Sequence, residues 1–232
     1  MVNAASFIGG RVAPGEIVTI FGSFAGPPAL VTLQLDGRGY VTTALAGTRV
    51  LFDGIPSPMI YAKGGQASVV VPYAVSGKTS TQVQTEYQGE STGAVSLPVV
   101  PVALGIFTSD SSGRGQGAIV NQDGSINSPS NPAPAGSIVL VYATGEGQTN
   151  PLGIDGKPGD VPAPAPVVQP PTALVGGLTA RVSYAGGVPG LLAGVIQLNV
   201  QIPPEAATGS AVPLVIGLGD QLSQTGVTLA VK

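Results

Sequence analysis

The sequence predicts an all-β chain built as two tandem β-sandwiches, and three observations carry that prediction. No window places apolar residues at helical spacing over three turns, so no long helix is expected. Short β-branched runs alternate with Gly- and Pro-bearing turns every ~10 residues. The same succession of strand and turn signatures then occurs twice. A chain of 232 residues accommodates two domains of about 100 residues each. Its 35 Gly and 22 Pro would suit a disordered chain, yet 43% of residues are hydrophobic and only 9% charged. Disorder requires the opposite balance.

In chain order, Ala4 to Gly10 is a lead-in, and Val12-Ala-Pro-Gly15 is a turn that feeds a strand from Glu16 to Phe21. Ile17, Val18, Ile20 and Phe21 supply the β-branched and aromatic side chains of a half-buried pleat. Ala29 to Leu35 alternates, with Leu33 and Leu35 on one face, and Asp36-Gly37 signals a tight turn. Thr48 to Phe52, the Asp53-Gly54 turn and Pro56 to Tyr61 form the next strand pair. Gln66 to Val71 is a strand stopped by Pro72. Gln82 to Tyr87 and Ala94 to Val99, bent at Gln88-Gly89, close the unit. In the second half the strongest stretch is Gly136 to Pro151, a buried strand running into the glycine-rich turn Gly145-Glu-Gly147.

Aligning the halves places Gly15 against Gly136, Thr48–Gly54 against Ala180–Gly186, Ser68–Pro72 against Asn199–Pro203 and Ser91–Val99 against Ser223–Val231. The jump between the first pairing and the others predicts an insertion in the second copy, within the Pro-rich stretch 149–171. Pro98-Val-Val-Pro101 reads as an extended linker, giving domains 1–101 and 102–232. About seven strands per unit is the pattern of an immunoglobulin-like sandwich. One closed barrel is the alternative, against which the repeat argues.

Composition removes whole classes of function. A formal charge of −3, with four Lys and five Arg scattered along the chain, cannot make a phosphate-neutralising face or a polybasic membrane anchor. Pro and Gly interrupt every apolar run before the ~20 residues of a spanning helix. With no Cys and no His, disulfides, thiolate chemistry and any Ser–His or Cys–His catalytic pair are excluded. Met1 runs directly into Val-Asn-Ala-Ala-Ser with neither a basic start nor an apolar core, the opening expected of a fragment excised from a longer chain.

The surviving chemistry is thin. A glycosidase needs only two carboxylates ~5–9.5 Å apart, and Asp123 and Glu146, in the most polar and glycine-rich region, are the candidates. The plainer reading makes Asp123-Gly124 a hairpin turn and has Glu146, between two glycines, accept backbone N–H bonds. Calcium is the one cofactor the residues suggest: Asp123, Ser125 and Asn127 alternate oxygen-bearing side chains, and Asp155 and Asp160 add acids on a second loop. A Lys–Asn or Lys–Asp crosslink would need a Lys in a core strand, and none is placed there. Carbohydrate binding would need an exposed aromatic platform. Of the six tyrosines, Tyr40 and Tyr73 lie nearest turns and are the expected exposed ones.

Several segments resemble an uncharacterised family of bacterial domains, the Solibacter-type C-terminal domain of large exported acidobacterial proteins. They include Val2–Phe7, Val12–Gly22, Val50–Gly54, Gly105–Thr108, Asn121–Asn127, Tyr142–Thr149, Gln197–Val200 and Gly226–Leu229. Each half also resembles an IPT/TIG module, an Ig-like domain. Pro170-Pro171 departs from the family's smoother strand and predicts a disturbed sheet edge there. The resemblance implies an exported accessory module without an established activity. The expectation is thus a non-catalytic extracellular structural or adhesive module, a spacer or end domain joined to upstream domains. Because few charges guard its sheet edges, self-association through them is expected as well. A module binding cell-surface or extracellular polysaccharide is the first alternative and the carboxylate-pair glycosidase the second.

Overall fold

A computed structural model describes residues 1–23, 26–159 and 166–232. Its turns form where the sequence signals them. Asp53-Gly54 and Gln88-Gly89 both take positive φ at each residue (51° and 80°, 51° and 88°), the geometry whose twist suits a two-residue hairpin. They join Thr48–Phe52 to Ile55–Pro56 and Ser80–Tyr87 to Glu90–Ser91. Gly176-Gly177 makes the corresponding turn in the second half, between Pro171–Val175 and Leu178–Gly187. The helical content among the described residues is one 3-10 turn, Tyr73–Val75. No helix among them is long and apolar enough to cross a membrane.

In the first sandwich one sheet runs Val2–Asn3, Ile17–Phe21, Gln66–Val70, Met59–Lys63 and Val31–Thr32. The facing sheet runs Val95–Pro98, Ser80–Tyr87, Thr48–Phe52 and Ile55–Pro56. Val12 adds a parallel bridge to Val99. This is the A-B-E-D against G-F-C order of an immunoglobulin domain. The second half repeats it: Gly105–Ile106 and Ile119–Asn121 lie on Ile138–Thr144, followed by Ile196–Gln201 and Leu178–Gly187. Opposite stand Pro171–Val175, Gly209–Leu218, Val227–Val231 and Gly115–Gln116, with Ala133 in a parallel bridge to Val231. The chain is therefore two tandem Ig-like β-sandwiches.

The two halves differ where each chain passes from one sheet to the other. In the second, Leu178–Gly187 makes that crossing as one strand, so its sheets form a single hydrogen-bonded run. In the first, Pro56-Ser57-Pro58 stands at the crossing. Two prolines withdraw two ladder donors, and the strand breaks into Ile55–Pro56 and Met59–Lys63.

Strand register corrects three sequence expectations. Ile17↔Val70 corresponds to Ile138↔Gln201, but Val50↔Thr85 corresponds to Ala173↔Ile216. Thr48–Phe52 therefore matches Pro171–Val175, and the Asp53-Gly54 turn matches Gly176-Gly177 rather than Ala185-Gly186. The extra residues of the second half fall mainly in the loop between Gly187 and Ile196, not within 149–171. The similar letters Arg-Val in two neighbouring strands misled the alignment. Pro171 opens a central strand, where a missing donor is tolerated at the first position, so no sheet edge is disturbed there. In the Ala29 to Leu35 stretch only Val31–Thr32 forms a strand, Leu35 makes an isolated antiparallel bridge to Val41, and Leu33 and Leu35 are 37% and 56% exposed. That segment lies on an outer edge, and Asp36 folds the chain back by accepting from the N–H groups of Arg38 and Tyr40.

Two separate cores result. One gathers Val12, Val18, Val50, Phe52, Met59 and Val69 among others of the first half; the other runs from Val102 to Val231. Phe52 is the largest fully buried side chain of the first. Phe52→Ala should cost about 3–5 kcal/mol in equilibrium denaturant unfolding of the first sandwich. A loss below about 1 kcal/mol would contradict its place at the core centre.

Candidate functional site

The most buried acids and their polar partners collect where the halves meet. At the opening of Ile17–Phe21, Pro14 and Gly15 turn the chain so that Glu16 folds back on its own loop, its Oε2 accepting from the Ala13 N–H at 2.8 Å. Its Oε1 accepts from Asn3 Nδ2 at 2.9 Å, and that same amide donates to the Ala103 carbonyl of the second half at 2.9 Å. Beside it the Ile17 N–H donates to Thr144 Oγ1, and the Tyr73 N–H donates to Asp155 Oδ1 at 2.8 Å. The Val41 N–H donates to the Gly156 carbonyl. The bonds from Asn3 to Ala103, Ile17 to Thr144, Tyr73 to Asp155 and Val41 to Gly156 join one sandwich to the other.

From the second half Gly145-Glu146-Gly147 reaches into the joint. Both glycines have positive φ, and a side chain on Gly145 or Gly147 would collide with the carbonyl of Ala103 or Pro101 respectively. Glycine is required twice over, for conformation and for close approach. Between them Glu146 turns inward, where its own N–H, the Gly145 N–H and the Tyr73 hydroxyl act on its carboxyl and favour the charged form. Its Oε2 has no partner among the described residues. The Tyr73 ring is held between Gly15 and Gly153, where a Cβ would run into it from either side. Glu146 separates two clefts, one of about 200 Å³ bounded by Tyr73, Leu152, Leu191 and Leu192, the other of about 370 Å³ bounded by Pro14, Lys78, Pro101 and Gln169.

Glu16 and Glu146 are 1% and 2% exposed. Burial pushes each carboxyl up to about 8, because charge is costly to hold away from water. For Glu16 the bonds from Ala13 and Asn3 and the charge of Arg11 act weakly against that rise. For Glu146 its own N–H acts against it while the nearby Glu16 adds to it. Burial also raises Asp155 and the Tyr73 hydroxyl. At neutral pH both glutamates are therefore mostly protonated, acting as hydrogen-bonding groups rather than ions.

The sequence-predicted residues are dispersed. Asp123 lies exposed in its hairpin turn, accepting from the Ser125 N–H and hydroxyl, which hold its carboxyl below the usual range. It stands beyond one end of Ile138–Thr144 and Glu146 beyond the other, and that strand alone spans about 20 Å at ~3.3 Å per residue. The pair shares no cleft, so the carboxylate-pair reading is corrected. Asn127 is buried: its Nδ2 donates to Asn121 Oδ1 and the Ala230 carbonyl, and its Oδ1 accepts from Gln116 Nε2 and the Ala230 N–H. It ties the loop to the last strand and cannot turn to a cation beside Asp123 and Ser125. No group of three or more acidic residues gathers for a metal among the described residues. Asp160 lies outside them. Tyr73, expected exposed, is 6% exposed. Tyr40 is half-buried, and the Arg38 guanidinium sits 5.0 Å from its ring centroid, covering the face a sugar would use.

Sequence reasoning missed Asn3, Glu16 and Thr144. The available signal was Glu16 itself, an acid opening an otherwise apolar strand in a chain with few charges.

No protein-family model and no curated protein sequence matches the chain. Among solved structures, the I9-I11 tandem of titin aligns with 95% of this chain at 10% identity and a TM-score of 0.25. The chain spans 62% of that structure's length. Tandem Ig repeats of Dlar align over 96% of this chain and 92% of theirs, at 12% identity and a TM-score of 0.22. Similarity at that level carries no argument about activity; the strand order itself defines the class, a tandem immunoglobulin-like protein.

The buried acids set a pH dependence. In the unfolded chain they ionise near 4.5, whereas in the folded chain they keep their protons to about 8. Their contribution to stability is full below pH 4.5, declines as pH rises and is lost through about pH 8. Asp36, Asp53, Asp110 and Asp123, held low by hydrogen bonds, weaken the fold only below about pH 4. The thermal midpoint should peak between about pH 4 and 5 and fall towards pH 8.5. Glu146→Gln should flatten that fall by about half. Melting curves that keep the wild-type slope in this variant would refute its protonated burial.

Proposed function

We propose that the chain is a non-catalytic structural module in which two Ig-like sandwiches are held at a fixed angle, serving as a spacer or end domain of an exported protein. The observation that supports this reading most directly is the polar joint. Its two most buried acids are spent on bonds within and between the sandwiches, and Tyr73 is clamped by glycines from both. A flexible tether would have no use for buried carboxyls, since each must be hydrogen-bonded or neutralised to be held there. The low-charge surface and the resemblance to exported bacterial end domains support an extracellular setting, with upstream domains of a parent protein as the partners such a spacer would carry.

Rigidity is the testable core of this proposal. Backbone residual dipolar couplings from the two sandwiches should fit one common alignment tensor. Gly153→Ala, which drives a methyl into the Tyr73 ring, should split them into two tensors of different magnitude while each sandwich stays folded. Two different tensors in the unaltered chain would mean independent domains and would sink the proposal.

A further inference from the structure

The joint brings one carboxyl from each sandwich into a single buried place. Glu16 comes from the first and Glu146 from the second, close enough that the charge of one bears on the other. The bonds named above that cross the joint end beside these two or beside Asp155. One Asn3 amide serves both Glu16 and the Ala103 carbonyl, and the Ile17 N–H, next along from Glu16, donates to Thr144, two residues before Glu146. Tyr73 acts on Glu146 through its hydroxyl and donates to Asp155 through its N–H. Gly156, which takes the bond from Val41, follows Asp155. A carboxylate formed in such a place must regain water or be matched by a cation.

Water has a route to it. Glu146 stands in the wall of both clefts, of about 200 and 370 Å³, and its Oε2 has no partner among the described residues. The covalent connection is also narrow. The Val100 N–H donates to the Val12 carbonyl in the first sandwich and the Ala103 N–H to the Gly145 carbonyl in the second, which leaves Pro101 and Val102 between them. Around the two glutamates stand Arg11, exposed and acting weakly on Glu16, and Lys78, in the wall of the larger cleft and paired with Asp53 at 2.8 Å. Lys157 lines the smaller cleft, Asp155 is a further acid, and burial keeps the Tyr73 hydroxyl neutral.

We propose that the joint is a proton-held latch. With Glu16 and Glu146 protonated the sandwiches are locked; losing those protons frees them to turn about Pro101 and Val102 while each stays folded. The latch rests on the fixed joint proposed above and adds what releases it. Opening returns both carboxyls to water and to their ordinary value of 4.5, whereas the closed joint holds their protons to about 8. The ratio of open to closed forms therefore rises with pH across that interval, by up to about tenfold per unit for one carboxyl and about 100-fold for the pair, and levels off above it.

The test measures one-bond Cα–Hα residual dipolar couplings, which amide exchange does not erase in alkali, at about pH 5 and about pH 9, on either side of that interval. The couplings should fit one alignment tensor in acid and two in alkali, reversibly, with the Hα spectrum of each sandwich dispersed throughout. The double substitution Glu16→Gln with Glu146→Gln, which cannot ionise, should keep one tensor at both. Two tensors in the unaltered chain in acid would remove the fixed joint and the latch with it. One tensor at both would overturn the latch alone and leave the fixed joint standing. Collapse of the Hα spectrum in alkali, or two tensors there in the doubly substituted chain, overturns the latch as well. Glu146→Gln alone keeps the check independent of how the double variant packs. With one ionisable carboxyl left, the second tensor should appear at higher pH and over a broader range than in the unaltered chain, and an unchanged profile overturns the assignment to these residues.

Discussion

Taking carboxyl groups out of water without a cation against them is the constraint from which the relation of the two sandwiches follows. Glu16 and Glu146 can occupy the joint only as hydrogen-bonded, largely neutral groups. Their partners are fixed points of the backbone: Ala13, Gly145 and, through the Asn3 amide, Ala103. An error of an ångström in the placement of either sandwich would leave one of these polar atoms unpaired in a dry setting, at a cost of about 1–3 kcal/mol. The glycines at 15, 145, 147 and 153 are there for the same reason, since backbone and ring must approach more closely than a Cβ allows. Geometry and charge therefore specify one arrangement, where apolar contacts alone would permit sliding.

The fold was legible in local chemistry and the site was not. Turn pairs such as Asp53-Gly54 and Gln88-Gly89 announce themselves because left-handed backbone is costly for almost everything else, and the buried strands follow from β-branched runs between them. Where two neighbouring strands carry similar letters, as around Arg49 and Arg181, sequence similarity chose the wrong partner, and only cross-strand register resolved it. Leu33 and Leu35 alternate as a buried strand should, yet lie exposed, because alternation states which residues share a face and not whether anything packs on it. Glu146 could be picked out, but what surrounds it could not. Its neighbour across the joint, Tyr73, is 73 positions away in the other sandwich, and a turn-proximal tyrosine looks exposed until the second sandwich is set against it. Asn127 fails as a cation ligand for a related reason, its amide being taken by the last strand, more than a hundred residues on.

The halves have drifted apart around a common plan. Proline at 56 and 58 divides in the first what Leu178–Gly187 keeps whole in the second, and the loop after Gly187 is longer than its counterpart at Gly64-Gly65. Both retain a buried Asn at the same register, Asn3 opposite Val18 and Asn121 opposite Val139. The first uses it to tie the joint, whereas the second uses it to organise its own hairpin through Ser125 and Asn131. The same side chain at the same place in the fold thus serves either association or internal order, according to what packs beside it.

The parallel bridges acquire a further meaning if the chain carries tension. Pulling the entry and exit of a sandwich apart loads the parallel contact between its first and last strands in shear, so its hydrogen bonds resist together rather than opening one by one. In the first sandwich that contact consists of the two bonds around Val12, to the Pro98 carbonyl and from the Val100 N–H. The second has the equivalent pair around Ala133 and a third bond, from the Ala135 N–H to the Lys232 carbonyl, where the first has Pro14 and no donor. The first sandwich is thus the weaker link. Under force its contact would open before its neighbour's, lengthening the chain while the second sandwich stays closed.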